Sequence, residues 1–293
     1  TTPTRYSRIP KASASKTILR VNSGKAPPKT ITTKLRYINQ IGIIMPREGY
    51  QDQLDGLRED VLYMGEIVLD RLRMALEALD GKDHDLARQV IDGDEEINQI
   101  YLDLERDCID LLALQQPVAG DLRFIAASFK IITDLERIGD LAVNLGEYAT
   151  ESEQDLCPGV EETQTRADGN RQSDIEHNRC PEVDVQAIGN AVIEMNERAM
   201  EAYADENTDI CFELRDRDDE IDSMCQDASA TVIRNLIERE IDEIGSDAEI
   251  EDLMGDVSQL FLTIRDLERI GDHAVNIAAR TLYMVENDDE LIY

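Results

Sequence analysis

Two carboxylates one helical turn apart, set in an otherwise apolar stripe, occur twice in this chain. Steps of three and four residues along one segment give Ile125, Phe129, Ile132, Glu136, Asp140 and Val143. The same steps further on give Val257, Phe261, Ile264, Glu268, Asp272 and Val275. Partly desolvated carboxylates at that spacing repel each other unless a cation or a proton lies between them. Carboxylate oxygens are the usual ligands of hard cations, so the chemistry this pattern suggests is metal binding. Asn144 and Asn276 add a neutral oxygen donor one turn later. Asp94 with Asn98, and Asp218 with Asp222, lead two other apolar stripes and can complete each set from a neighbouring helix. The competing reading is an acidic face that binds nothing, neutralised by Arg137 and Arg269.

The carboxylate pairs belong to an internal repeat. Asp134–Asn144 reads DLERIGDLAVN and Asp266–Asn276 reads DLERIGDHAVN, differing only at Leu141 and His273. DEEIN at 94–98 likewise corresponds to DDEID at 218–222. Repeated supersecondary units must be recognised before a fold is assigned.

The elements that position these residues are long helices. Leu54, Leu57, Val61, Met64, Val68, Leu72, Ala75 and Leu79 recur at helical spacing, and Asp83 is a natural N-cap after the Asp80–Asp83 turn. The next helix is expected to run unbroken from Asp83 to about Leu114, where Gln115-Gln116-Pro117 stops it. A third extends from about Ala119 to Thr150. The same trio returns at 183–204, 209–239 and 248–285. Beside the mixed stripe of the third helix runs a fully apolar one, Ile131, Leu135, Ile138, Ala142 and Leu145. Gly139 and Gly271 lie between the two stripes and predict a close helix approach, with the carboxylates at the seam or its rim. The predicted fold is all-α, two tandem three-helix bundles with six long helices and a pseudo-two-fold internal repeat. The domains are residues 45–150 and 183–293, joined by a polar linker at 151–182 and preceded by a basic, disordered extension at 1–44.

Charge is distributed unevenly. The net charge is −33, yet residues 1–44 hold nine Lys and Arg and no Asp or Glu, which leaves 21 basic residues against 63 acidic in the rest, a net of −42. Such a body repels phosphodiesters, which argues against nucleic-acid binding. It suits work in concentrated salt, where screening removes self-repulsion. Met45 is consistent with a natural start upstream of which 1–44 is an addition; a basic tail with its own role is the rival. Five cysteines at irregular spacing suggest reduced thiols, with Cys108 and Cys225 in core positions. His177 and Cys180 supply half of a zinc site whose other half is missing. Neither a membrane span nor a signal peptide is expected.

The run LLALQQPVAGDLRFIAASFKIITDLERIGDLAVN strongly resembles the PhoU family, and LFLTIRDLERIGDHAVNIA resembles that family's second repeat. The resemblance covers about residues 46–150 and 183–286. It implies two PhoU bundles whose acidic motifs, here Glu136 with Asp140 and Glu268 with Asp272, hold iron or zinc clusters. It further implies a cytoplasmic, homodimeric negative regulator of phosphate uptake. Such a regulator acts on the ATPase subunit of a phosphate ABC transporter and on a signalling kinase, and touches the membrane only through the transporter. The chain departs from the family pattern at Gln115, where Arg is usual, at Leu141, where His is common, and in the long 151–182 linker. The residues are not those of an enzyme: no His completes a Glu-x-x-His pair, and no nucleophile–base set or phosphate loop is present. A metal-cluster carboxylate enzyme and a metal-free structural adaptor remain the alternatives.

Overall fold

A computed structural model describes residues 47–151, 183–238 and 247–292. The basic extension, the 151–182 linker, His177, Cys180 and the 245–247 turn lie outside these residues, save Glu151 and Asp247. Among the described residues there are seven helices: α1 (Arg47–Gly81), α2 (His84–Asp92), α3 (Asp94–Gln115), α4 (Ala119–Glu151), α5 (Val185–Asp205), α6 (Thr208–Glu238) and α7 (Asp247–Glu286). Every residue of the predicted α1 stripe from Leu54 to Ala75 is buried. Full burial of such a side chain contributes about 1.5–3 kcal/mol relative to exposure. Asp83 caps α2 as its sequence position suggests, accepting hydrogen bonds from the backbone N–H groups of Asp85 and Leu86 at 3.0 Å each.

The helix expected from Asp83 to Leu114 is instead interrupted at Gly93. There the hydrogen bonds tighten to Gly93 N→Val90 O and Glu96 N→Gly93 O, both 3.2 Å. Arg71 of α1 reaches this break, donating to the Gln89 carbonyl at 2.9 Å and pairing with Glu96 at 3.3 Å. A cation there satisfies a carbonyl that the end of α2 leaves open. The α3–α4 turn is closed by Gln116 in the left-handed conformation, φ 48°.

The two three-helix bundles are α1, α2–α3 and α4 in one and α5, α6 and α7 in the other. They share one hydrophobic core, because α4 packs on α7 and α1 on α5. Contacts rise along α4 as they fall along α7: Arg123 with Met284, Asp134 with His273, Asn144 with Asp266, Tyr148 with Gln259. The repeat-equivalent helices therefore cross antiparallel about a pseudo-two-fold axis.

The close approach predicted at the motif glycines is real in the first repeat and looser in the second. A Cβ on Gly139 would sit 3.2 Å from two carbons of Ile97, itself 1% exposed, whereas one on Gly271 would meet Asp218 Oδ1 at 3.6 Å. Gly139→Ala is expected to lower stability by about 1 kcal/mol, because overpacking against Ile97 exceeds the gain in helix propensity. Gly271→Ala should change it by less than about 0.5 kcal/mol. Urea unfolding of the two variants checks this, and equal effects would contradict the asymmetry.

Candidate functional site

α3 and α4 bring Asp94, Glu136 and Asp140 together, with Asn98 beside them. Glu136 and Asp140 stand at the rim of the packed seam, with side chains 21% and 42% exposed. Burial raises the Glu136 carboxyl above its ordinary range, and Asp140 and Asp94 push the same way. Burial likewise raises Asp140, with Asp94 adding to it. Asp94 Oδ2 accepts a hydrogen bond from Asn98 Nδ2 at 2.6 Å, while its Oδ1 is buried without a partner among the described residues. A buried carboxylate oxygen with no donor costs free energy, a cost a cation would remove.

The second repeat gathers Asp218, Asp222, Glu268 and Asp272, with Asp219 beside them. Asp218 is pushed up to about 6 by burial and then by Asp222, Asp272, Asp219 and Glu268. Glu268 and Asp272, more exposed than their first-repeat counterparts, are raised by burial and by Asp222. Cys225, assigned to the core from its spacing, is fully buried and lies near this set. Burial first, then Glu268 and Asp222, push its thiol to about 12, so it is protonated. The two sets thus differ: Asn98 in the first corresponds to Asp222 in the second.

Oxygen donors of this kind fit a hard cation or, when bridging, iron or zinc. In the positions the side chains hold, no three His, Cys, Asp or Glu among the described residues converge on a single point. Binding therefore requires the rim carboxylates to change rotamer. Arg137 meanwhile pairs with Glu136 at 3.6 Å and Asp140 at 3.5 Å. Arg269 does not serve its own pair in this way; it approaches Asp266 at 3.7 Å.

The asparagines and the first Asp of each motif do something the residue spacing did not reveal: they clasp the two bundles. Asp134 accepts from Asn276 at 3.3 Å and contacts His273 Nδ1 at 3.0 Å. Asp266, fully buried, accepts from Asn144 at 3.2 Å and from the Tyr148 hydroxyl at 2.8 Å, and pairs with Arg265 at 2.9 Å. The amide nitrogens of Asn144 and Asn276 are committed here, which leaves only their carbonyl oxygens for a cation. The available signal was the Leu141/His273 difference. Without a histidine at 141, Asp266 takes Tyr148 and Arg265 instead.

Fold and site together define an all-α tandem-repeat protein with a carboxylate set on each repeat. The PhoU domain model matches twice, at residues 61–149 and 185–281, and the chain belongs to the PhoU family. It is 31% identical over 240 residues to the phosphate-specific transport system accessory protein PhoU homolog 1 of Methanothermobacter thermautotrophicus, covering 82% of this chain and 95% of that one. It is 30% identical over 242 residues to the PhoU homolog of Pseudomonas aeruginosa, with 82% and 86% covered. The crystal structure of PhoU from Pseudomonas aeruginosa superposes with a TM-score of 0.63 at 29% identity, over 82% of this chain and all of that one.

Proposed function

We propose that this protein is a non-enzymatic negative regulator of phosphate uptake that docks on the ATPase subunit of a phosphate ABC transporter, in the cytoplasm and as a homodimer. A signalling kinase is a second partner in this reading, and the carboxylate sets bind metal, iron or zinc. The observation that carries it is near-complete coverage of relatives named as accessory proteins of the phosphate-specific transport system. Among the described residues no helix is long and apolar enough to cross a membrane, so contact with the membrane is assigned to the transporter.

A docking surface is available at the α3–α4 tip. Leu114, Val118 and Leu122 are 73%, 64% and 46% exposed there, beside the exposed Ile109 and Leu112. An apolar cluster on so acidic a body costs solvation unless a partner covers it, and the transporter component is the partner the relatives' names supply. Tagged protein from phosphate-replete cells should retain the transporter ATPase. Leu114→Glu with Val118→Glu should weaken that retention by about tenfold or more, as expected for central apolar anchors, without unfolding the chain. Failure of the parent to retain any transporter ATPase would remove the main support for docking.

The pairing of Arg137 with Glu136 and Asp140 favours a second reading, the metal-free adaptor. Metal content separates the two. Protein purified without chelator or affinity tag should carry iron or zinc, falling by one repeat's share in Glu136→Ala/Asp140→Ala and again in Glu268→Ala/Asp272→Ala. Metal-free parent protein with intact folding would leave the adaptor.

A further inference from the structure

The internal repeat duplicates an exposed apolar side chain on each of two helices. Ile109 of α3 and Ile233 of α6 correspond through the DEEIN and DDEID segments, and are 51% and 49% exposed. Leu122 of α4 and Met254 of α7 correspond through DLERIGD, and are 46% and 65% exposed. Ile237, one turn beyond Ile233, is 77% exposed. Cys225 Sγ lies 3.9 Å from Ile264 O, so two turns nearer the end of the bundle Ile233 comes about level with Met254. The α6–α7 end therefore carries an apolar tip like that of α3–α4. Acidic charge accompanies both. Residues 103–123 hold five Asp and Glu against Arg106 and Arg123, and the equivalent residues 227–255 hold nine against Arg234 and Arg239. The antiparallel crossing puts the two tips at opposite ends. Arg123, beside the first tip, reaches Met284 near the end of α7, whereas Gln259, near the second, meets Tyr148 near the end of α4. Leu122 to Tyr148 spans about 40 Å of helix at 1.5 Å per residue.

We propose that the α6–α7 tip is a second docking site equivalent to the α3–α4 tip, so that one chain holds two copies of one partner, each through an apolar patch bordered by Lys and Arg. The inference rests on the docking reading given above, in which that partner is the transporter ATPase subunit. Two tips related by a pseudo-two-fold axis present related surfaces, so a partner that fits one fits the other. Large exposed apolar side chains at matching positions on an acidic body mark surfaces that a partner covers. The surrounding carboxylates select a basic border around the partner's apolar patch. A second copy of this chain fits less well, because its own acidic tips repel those they would face. Pairing of copies at both tips would also extend into an open chain of molecules. Where two ATPase subunits are held in one assembly, docking at the first tip raises the effective concentration of the second subunit at the other. Bridging then gives an affinity that neither tip has alone.

Sedimentation velocity on the full chain in KCl, titrated with the purified ATPase subunit and no nucleotide, tests this. At saturation the parent should carry two ATPase subunits per chain. Leu114→Glu/Val118→Glu should reduce that ratio to one, and Ile233→Glu/Met254→Glu should do the same. The variant with all four changes should bind none, while unfolding at the parental temperature, since these side chains are exposed. Asp110→Lys/Glu251→Lys should keep the ratio at two and slow association severalfold; undiminished association would overturn the charge match. One ATPase per parental chain, or a ratio untouched by Ile233→Glu/Met254→Glu, would overturn the inference and leave docking at the α3–α4 tip standing. Self-association of the parent that Ile233→Glu/Met254→Glu abolishes would overturn it too, assigning the second tip to another copy. A parent that binds no ATPase would overturn both readings.

Discussion

Asp266→Ala is expected to lower the free energy of unfolding by about 3 kcal/mol, the largest single-residue loss among the groups that join the two bundles. The side chain is fully buried and holds Tyr148, Asn144, Arg265 and, more distantly, Arg269. Removing one member of a buried charged network costs about 3–5 kcal/mol when its partners stay buried. Here Arg265 is 55% exposed and can turn to water, so the lower end applies. Asp266→Asn keeps an acceptor for Tyr148 but loses the charge, and should fall between Ala and the parent. The counterpart Asp134, 16% exposed and held by His273 and Asn276, should cost about 1–2 kcal/mol as Ala. Urea unfolding in concentrated salt at neutral pH measures both. A loss below about 1 kcal/mol for Asp266→Ala, or the reverse order, would mean that apolar packing of α4 on α7 joins the bundles without help from the clasp.

The contrast between Asp134 and Asp266 indicates which parts of this protein its sequence discloses. Periodicity reports burial along one helix, so the stripes of α1, α4 and α7, the cap at Asp83 and the stop at Gln116 were all legible. The rim position of Glu136 and Asp140 followed from their place in a stripe. Partners across a helix crossing are not encoded in spacing, which is why Asn144 and Asn276 were read only as oxygen donors and the first Asp of each motif was passed over. The break at Gly93 escaped for a related reason. A single glycine within a strong helical pattern is tolerated at a cost of about 1 kcal/mol, and Arg71, which reaches the backbone at this one, lies on another helix. Sequence symmetry also concealed physical asymmetry. The same DLERIGD leaves Glu268 and Asp272 more exposed than Glu136 and Asp140.

Asp218→Asn should have opposite effects on the protein with and without metal. In the metal-free chain Asp218 is pushed up to about 6, with burial the largest cause and the neighbouring carboxylates next, against about 4 in an unfolded chain. A raised carboxyl pKa means that the folded state binds the proton more tightly. Stability is therefore lowest above pH 6, rises as pH falls from about 6 to about 4, and levels off below that as far as this group is concerned. Glu136, Asp140, Glu268 and Asp272 are shifted in the same direction and steepen the trend. Two pKa units correspond to about 2.7 kcal/mol; solvent screening of this half-buried group reduces the gain from Asp218→Asn at pH 8 to about 1–2 kcal/mol. If the second set binds metal as proposed, the same substitution removes a charged ligand from it, so the stabilisation by added metal, about 2.7 kcal/mol at a hundredfold excess over the dissociation constant for the parent, should largely vanish. Thermal unfolding with and without Mn²⁺ or Zn²⁺, between pH 5 and 8, reads both effects. A metal-free variant less stable than the parent at pH 8 would show that Asp218 serves the fold through hydrogen bonds. Undiminished stabilisation by metal would place the cation elsewhere. The crossing of the two effects is what a binding site produces when its own repulsion is relieved only by its ligand.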